Sequence, residues 1–301
     1  MNGIIVINKP KDYTSFDVVA IMRRLLGEKK VGHTGTLDPM ATGVLPILVG
    51  RATKLQSFIL EADKEYIATF KLGMTTDTLD ITGTVLTSVE SQVEKRAVED
   101  VLNSFRGRIQ QVPPMYSAIQ KNGVRLYDLA RKGIKVEREA REVTINTLQL
   151  LNFDLASQIG TVLVNCSKGT YIRALCDDIG KKLGCGATLV ELQRTKTGEF
   201  DIKHSITLDE AKTLASKNCL VEHLLPCDTI LLAYPKVKVS QPQATRFKNG
   251  STLSLDRLNF NSALYNTDLV RVYTQDNDFI GLAQINIPQN ELSVSCLIDI
   301  S

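Results

Sequence analysis

The spacing of apolar residues predicts a strand, a helix and a second strand near the start of the chain. Apolar residues dominate Gly3–Asn8, which predicts a short strand. The next apolar positions recur three and four residues apart, which predicts an amphipathic helix with Ser15 as its N-cap and Gly27 as its stop. Further on, alternation predicts a strand with Tyr66 and Phe70 on one face of a sheet. The apolar face of the helix carries Val18, Val19, Met22, Leu25 and Leu26.

Similar patterns continue to about residue 232 and then change. From there, short alternating segments such as Leu269–Tyr273 and Phe279–Ile285 are separated by turn residues. We therefore expect an α+β fold over residues 1–232 and a small all-β domain over residues 233–301. The remaining predicted helices lie at 51–61, 93–105, 123–132, 170–184 (capped by Thr170) and 208–215, and the remaining strands at 143–153, 161–166 and 190–197.

Composition excludes several classes of protein. A length of 301 residues, with 43% hydrophobic and 23% charged residues, is typical of a globular protein with two domains. No apolar run approaches the roughly 20 residues that span a membrane, and the start lacks a signal-peptide pattern, so a cytoplasmic location is expected. The six cysteines form no C-x-x-C pair and the three histidines are far apart, which argues against a metal site and a disulfide framework.

Charge is informative through its distribution. The net charge of +3 does not by itself indicate a nucleic-acid-binding protein. Two basic clusters stand out, and each fits either a solvated face, which is the commoner meaning of a charge run, or a phosphate-binding surface. The first contains Arg23, Arg24, Lys29 and Lys30, and the second contains Lys121, Arg125, Arg131, Lys132, Lys135, Arg138 and Arg141.

Residues 32–45 form the segment with the strongest chemical signal. Three glycines allow its backbone to approach a ligand closely, because glycine has no Cβ and tolerates positive φ. Asp38 precedes Pro39, which biases the aspartate toward an extended backbone and projects one carboxylate from a stiffened loop. Such a carboxylate could serve as a nucleophile or base, although an ordinary Asp-Pro turn has the same pattern.

This segment, G-H-x-G-x-L-D-P-x-A-x-G-x-L, resembles the catalytic signature of the TruB family of pseudouridine synthases. The resemblance extends over nearly two hundred residues in the same order, which is far more specific than one loop. Asp12 departs from it, because the family commonly has glycine there, and this puts the local turn in question. The other matching blocks are 7–10 with 14–15, 64–68, 72–78, 113–118, 169–173 and 192–195.

The resemblance implies a fold and an activity. The fold would be that of the pseudouridine synthases, with a central mixed, mostly antiparallel sheet flanked by helices and loops in residues 1–232. A PUA-like RNA-binding barrel would follow in residues 233–301, and an RNA-clamping insertion at about 121–141 would be anchored by Leu126 and Tyr127. The activity would be the isomerisation of uridine 55 in the TΨC loop of tRNA, by a monomer that needs neither cofactor, metal nor guide RNA.

The resemblance also assigns roles to individual residues. Asp38 would be the nucleophile, Arg173 its ionic partner, and Tyr66 the ring that stacks on the flipped uridine and can take the C5 proton. From the residues alone, Tyr66 equally fits a core aromatic and Arg173 a surface arginine. The implied substrate-binding set is His33, near the extruded nucleotide, Lys9, in the segment that supports the loop, and Tyr171 and Leu192, in the pocket lining.

Two alternatives use the same motifs. A guide-RNA-dependent relative of dyskerin shares the catalytic signature, but the basic insertion after Pro113–Pro114 and the lack of lysine-rich tails favour a stand-alone enzyme. A non-enzymatic RNA-binding protein or tRNA chaperone would need the basic patches but not Asp38. The presence of both Asp38 and Arg173 within matching motifs argues against loss of catalysis, and chaperoning alongside catalysis stays open.

Overall fold

The computed structural model describes residues 1–121, 123–134, 136–258 and 268–298, so Lys135 of the second basic cluster lies outside the described residues. The α-helices are α1 Ser15–Leu26, α2 Gln56–Leu60, α3 Lys95–Asn103, α4 Leu126–Arg131, α5 Ile172–Lys182, α6 Leu208–Ser216 and α7 Gln241–Lys248. The first strands are β1 Gly3–Lys9, β2 Val31–His33, β3 Thr42–Val49, β4 Lys64–Leu72, β5 Met74–Thr76, β6 Val85–Ser88, β7 Gly107–Gln111, β8 Gln120–Lys121, β9 Val124–Arg125 and β10 Arg141–Asp154. The later strands are β11 Ile159–Cys166, β12 Ala187–Thr197, β13 Phe200–Asp201, β14 Ile206–Thr207, β15 Lys236–Lys238, β16 Leu253–Ser254, β17 Leu269–Tyr273, β18 Phe279–Asn286 and β19 Glu291–Leu297.

A large mixed sheet forms the body of the protein. Its main path runs β14-β1-β3-β12-β4-β11-β10-β7, with β2 beside β3 and β13 beside β12. The β1–β14 and β3–β12 pairs are parallel and the other pairs on this path are antiparallel, which confirms the expected mixed, mostly antiparallel sheet. The alternation in β4 is also confirmed, because Tyr66 and Phe70 are buried with Val98 of α3 and Leu175 of α5 in one core.

Two predicted helix caps are wrong. Helix α1 is capped by Thr14, which forms a reciprocal capping box with Asp17, and this leaves the Ser15 hydroxyl free for a tertiary contact. Helix α5 has Tyr171 at its N-cap with no side-chain cap, and the Thr170 hydroxyl donates instead to the Ser167 carbonyl at 2.9 Å. Both helices lie where the apolar spacing predicts, because burial of an apolar face fixes a helix more strongly than its cap.

A second sheet, with the order β15-β17-β18-β19-β16, forms the C-terminal part of the described chain and confirms the expected small β domain. The sequence pattern did not predict its short helix α7, which is capped by Ser240. Leu282 and Ile298 are buried together with Ile4 and Leu48 of the large sheet, so the two parts share a core. The boundary between residues 232 and 233 stays a prediction. Among the described residues, no helix is both long and apolar enough to cross a membrane.

Candidate active site

The loop that carries Asp38 lies between β2 and β3 in a tightly specified backbone conformation. Gly43 has φ +105°, and a Cβ built there would lie 2.1 Å from the Arg194 carbonyl oxygen, so this position requires glycine. The clash arises because β3 pairs in parallel with β12, where Gly43 faces Arg194. The Ala41 amide donates to the Asp38 carbonyl at 3.0 Å and closes the turn after the aspartate.

The segment after β1 holds this loop from the opposite side. Lys9 has no exposed surface, and its ammonium donates to the carbonyls of Pro10 at 2.8 Å, Tyr13 at 2.6 Å and Pro39 at 3.2 Å. Burial lowers the pKa of Lys9 to about 8. The Ser15 hydroxyl accepts from the Leu37 amide at 2.9 Å. Lys9 is therefore placed to support the loop from within and does not reach the surface that RNA would contact.

The turn that Asp12 puts in question is retained. Asp12 has φ +68°, the left-handed conformation that glycine adopts most easily and that aspartate tolerates better than most residues. Its amide donates to the Pro39 carbonyl at 2.8 Å, next to the candidate nucleophile. Asp12 therefore adopts the backbone conformation that a glycine at this position would favour.

Asp38 and Arg173 form a two-point ion pair. Arg173 Nε lies 2.9 Å from Asp38 Oδ2, and Nη2 donates to Oδ1 at 3.3 Å. The Arg173 side chain is 5% exposed and that of Asp38 is 37% exposed, so the carboxylate opens to solvent while the guanidinium lies behind it. A paired guanidinium offers strong, directional hydrogen bonds to a carboxylate.

Arg173 is itself fixed from three other directions. Its guanidinium donates to the Thr78 carbonyl at 3.0 Å and the Tyr116 carbonyl at 2.8 Å, and Nη1 lies 3.7 Å from Asp80 Oδ2. Asp80 is 5% exposed and accepts hydrogen bonds from the Thr78 and Thr82 hydroxyls at 2.8 and 2.6 Å. The sequence reasoning missed Asp80, although the matching block at 72–78 ends two residues before it.

The Asp38–Arg173 pair opens onto a cavity of about 440 Å³, a volume within the usual range for small-ligand pockets. Five of the predicted site residues line it: Asp38, Arg173, Tyr66, Tyr171 and Leu192. The sequence did not predict that Tyr127 and Arg194 also line it. His33 and Lys9, the other two predicted site residues, are not part of the lining. Lys9 instead supports the loop from within.

Arg194 is the largest buried polar side chain of the site. It is 1% exposed and donates to the carbonyls of Val44 at 2.7 Å and Gly35 at 2.9 Å, one on each side of Asp38. It also lies directly opposite Tyr66 in the β4–β12 register. The ion pairs found among the described residues include none to Arg194. The buried Arg194 guanidinium therefore binds backbone on both sides of Asp38, and its residue is paired with Tyr66 in the sheet.

Burial sets the protonation behaviour of the site. It raises the pKa of the Asp38 carboxyl above its ordinary value, and the Arg173 guanidinium limits that rise. Burial also raises the pKa of the Tyr66 hydroxyl, and Arg194 opposes the change. The site therefore keeps the Asp38 carboxylate beside the Arg173 guanidinium and the Tyr66 phenol beside that of Arg194.

Comparison with known proteins places this geometry in a family. The chain matches the family described as "TruB family pseudouridylate synthase (N terminal domain)" over residues 23–172. It also matches "tRNA pseudouridylate synthase B C-terminal domain" over 173–232 and "Pseudouridine synthase II TruB, C-terminal" over 235–292. A "tRNA pseudouridine synthase B" of Clostridium kluyveri is 47% identical, covering 94% of this chain and 95% of its own. One of Clostridium tetani is also 47% identical, covering 94% and 96%.

The solved structures show the same fold. The chain superposes on the "Crystal structure of the archaeal box H/ACA sRNP Nop10-Cbf5 complex" with a TM-score of 0.73 at 24% identity, over 99% of this chain and 87% of that one. The mixed sheet and its appended β domain are those of a pseudouridine synthase. More narrowly, the chain belongs to the TruB family.

Proposed function

We propose that this protein is a stand-alone tRNA pseudouridine synthase, an isomerase that converts uridine 55 of the TΨC loop to pseudouridine with Asp38 as the nucleophile. The observation that carries this proposal is the two-point Asp38–Arg173 pair at the edge of a cavity. Family membership and relatives named tRNA pseudouridine synthase B supply the class of reaction and of substrate.

The reaction breaks the bond between N1 and the ribose, rotates the base, and joins C5 to the same C1′ atom. A carboxylate can drive these steps either by covalent attack or by stabilising a cationic sugar. The detached base exchanges the C5 proton for a proton on N1, so the reaction needs no net oxidant or phosphate donor. Arg173 keeps Asp38 ionised and aimed into the cavity. Tyr66 holds the ring of the base, and its hydroxyl takes the C5 proton as its own proton passes on to N1, so the phenol is restored at the end.

The target base has to leave its stack to reach Asp38. Extracting a base costs a few kcal/mol, which stacking inside the pocket offsets. Tyr66, Tyr171 and Leu192 line the cavity and would supply this contact. His33 lies outside the lining and would contact RNA next to the extracted nucleotide.

The insertion at 121–141 would hold the T-arm over the cavity. Tyr127 lines the cavity, and the guanidinium groups of Arg125 and Arg131 lie 5.8 and 5.4 Å from the centre of its ring. The buried Leu126 anchors the same helix. This arrangement supports direct recognition of the T-arm by a monomer without guide RNA, with a catalytic domain at 1–232 and an RNA-binding domain at 233–301.

The test uses an unmodified tRNA transcript with tritium at uridine C5. The wild-type protein should release tritium without guide RNA or added metal, and the modified position should map to uridine 55. Asp38→Asn should reduce release on the order of a thousandfold or more while it still binds tRNA, because it keeps the shape but not the charge of the nucleophile. Binding without release by the wild type would point to a guide-dependent enzyme or an RNA chaperone instead.

A further inference from the structure

One exposed aromatic side chain lies beside the catalytic loop and has no part in the cavity. Phe16, at the second position of α1, is 64% exposed. Its ring packs edge-on against His33, with the centroids 5.3 Å apart and the planes at 86°. A ring that stays mostly in water adds little to the core, and this one is available for contact with a ligand beside the loop that carries Asp38.

A hydrogen bond joins the start of α1, which carries Phe16, to the loop that carries Asp38. Ser15, the neighbour of Phe16, is buried and bonds the Leu37 amide at 2.9 Å, and Leu37 directly precedes Asp38. His33, against which Phe16 packs, lies two residues before Gly35 of the cavity lining. The ring therefore lies on the helix end that contacts the Asp38 loop, against a residue that precedes the cavity lining by two positions.

The surface around Phe16 is suited to a nucleic-acid strand. Burial lowers the pKa of His33, and Arg194 adds to that effect, so the imidazole is neutral at pH 7 and presents a flat, weakly polar ring. Arg23 and Arg24 follow on the exposed side of α1, about 12 Å along the helix axis from Phe16. Lys29 and Lys30, just beyond the helix, are also exposed. Aromatic rings next to a basic track are the usual platform for unpaired bases and their phosphates.

We propose that Phe16 stacks on an unpaired base of the RNA loop that flanks the target uridine, and that the first basic cluster binds the adjoining phosphates. This proposal rests on the proposed function, since it takes RNA as the ligand of this surface. Phe16 contributes to affinity and to the seating of the loop, and it takes no part in the chemical step.

The chain contains no tryptophan, so Phe16→Trp creates a single fluorescent reporter. Addition of an unmodified T-arm stem-loop should quench its emission, and an abasic substitution at the stacked nucleotide should abolish the quenching. The matched control is Leu155→Trp, because Leu155 is 60% exposed and lies in the turn before β11, about 25 Å from the cavity end of that strand. Quenching equal to that of the control would overturn the proposal.

Binding supplies a second, independent measurement. Phe16→Ala should weaken stem-loop binding about 5- to 30-fold, while Leu155→Ala should leave it unchanged. Turnover of Phe16→Ala at saturating RNA should stay within about twofold of the wild type, and its thermal unfolding should match. Unchanged affinity with an intact fold would exclude the contact. Wild-type tritium release is measured alongside, so loss of the proposed function itself would appear there and not in the Phe16 comparison.

Discussion

The two sides of the cavity are built in different ways. On the loop side, Asp38, Lys9 and Arg194 are held by buried hydrogen bonds that span distant parts of the sequence. On the insertion side, β8, β9 and α4 form a small exposed unit, and Leu126 is its deeply buried member. The chemistry depends on fixed geometry, whereas recognition of a large RNA benefits from a surface that can adapt.

The largest expected effect comes from breaking the buried pair on the loop side. Arg173→Met should raise the barrier to turnover by about 3–4 kcal/mol, or slow it roughly 10²- to 10³-fold, because it leaves the Asp38 carboxylate without its partner. tRNA affinity should stay within about threefold, which a filter-binding assay can check. Arg173→Lys keeps the positive charge but not the two-point contact, so its turnover should lie between that of the wild type and that of Arg173→Met. Equal losses in affinity and turnover would make Arg173 an RNA contact instead.

The pH dependence of the same variant tests the electrostatic account. As the proposed nucleophile, Asp38 has to be ionised to react. Burial raises its pKa, so the acid limb of the wild-type rate profile should lie above the ordinary range of an aspartate. Arg173 opposes that rise, and Arg173→Met should therefore move the limb to higher pH. A limb that stays in place would show that the guanidinium does not set the charge of Asp38.

Two glycine-to-alanine variants compare how rigid the backbone is on the loop side and on the insertion side of the cavity. Gly43→Ala should lower the free energy of unfolding by about 3 kcal/mol, because the new Cβ overlaps the Arg194 carbonyl and the backbone is left-handed. Gly133 of the insertion also has positive φ, at +72°, but an added Cβ would meet nothing within 4 Å. Gly133→Ala should cost only about 1 kcal/mol. Urea titrations of both variants give the comparison, and similar losses would contradict it.

On the insertion side, removal of an exposed positive charge should weaken tRNA binding without changing turnover at saturating tRNA. Lys132 is exposed, so Lys132→Gln should weaken tRNA binding a few-fold and lower the slope of log affinity against log salt by about one, if it contacts one phosphate. Arg138 differs, because it is half-buried and donates to the Pro113 carbonyl at 3.0 Å. Arg138→Gln should therefore also perturb the insertion itself. Lys217→Gln, at an exposed lysine after α6, is the control, and an unchanged slope for Lys132→Gln would remove it from the interface.

The smallest expected effect concerns the turn next to the loop. Asp12→Gly should raise the free energy of unfolding by up to about 0.5 kcal/mol, since glycine relieves the left-handed strain but gains freedom in the unfolded chain. Asp12→Ala keeps a Cβ and should lower it. Thermal unfolding of the three proteins would reveal the order, and a stabilised alanine variant would show that no strain is stored there.

The sequence predicts the fold well where burial repeats regularly. The alternation in β4 and the apolar face of α1 specify their elements, because each places one face in a core. The caps of α1 and α5 were assigned incorrectly, since several adjacent hydroxyl residues can satisfy the same backbone amides. The family resemblance predicts that Arg173 is the ionic partner of Asp38, and the structure brings the two side chains to 2.9 Å.

The supporting residues could not be predicted in the same way. Asp80 and Arg194 act through contacts between distant parts of the chain, and neither lies in a periodic pattern that singles it out. The resemblance places Lys9 in the segment that supports the loop, but the sequence did not predict that Lys9 is buried, because a lysine in a strand-to-turn segment normally faces water. Its burial follows from three carbonyls that converge on one ammonium, two of them local and one from the catalytic loop.

The Arg194–Val44 hydrogen bond has a consequence for how the protein is made. Its two residues are 150 positions apart, and the β3–β12 pairing that accompanies it is equally distant in sequence. At about 5–20 residues per second, a ribosome needs roughly 8–30 s to reach Arg194 after Val44 has been added. Throughout that interval the growing chain carries Asp38 without the backbone that shapes its loop. The nascent protein should therefore gain catalytic competence late, in one step, once the strand that carries Arg194 has emerged and paired.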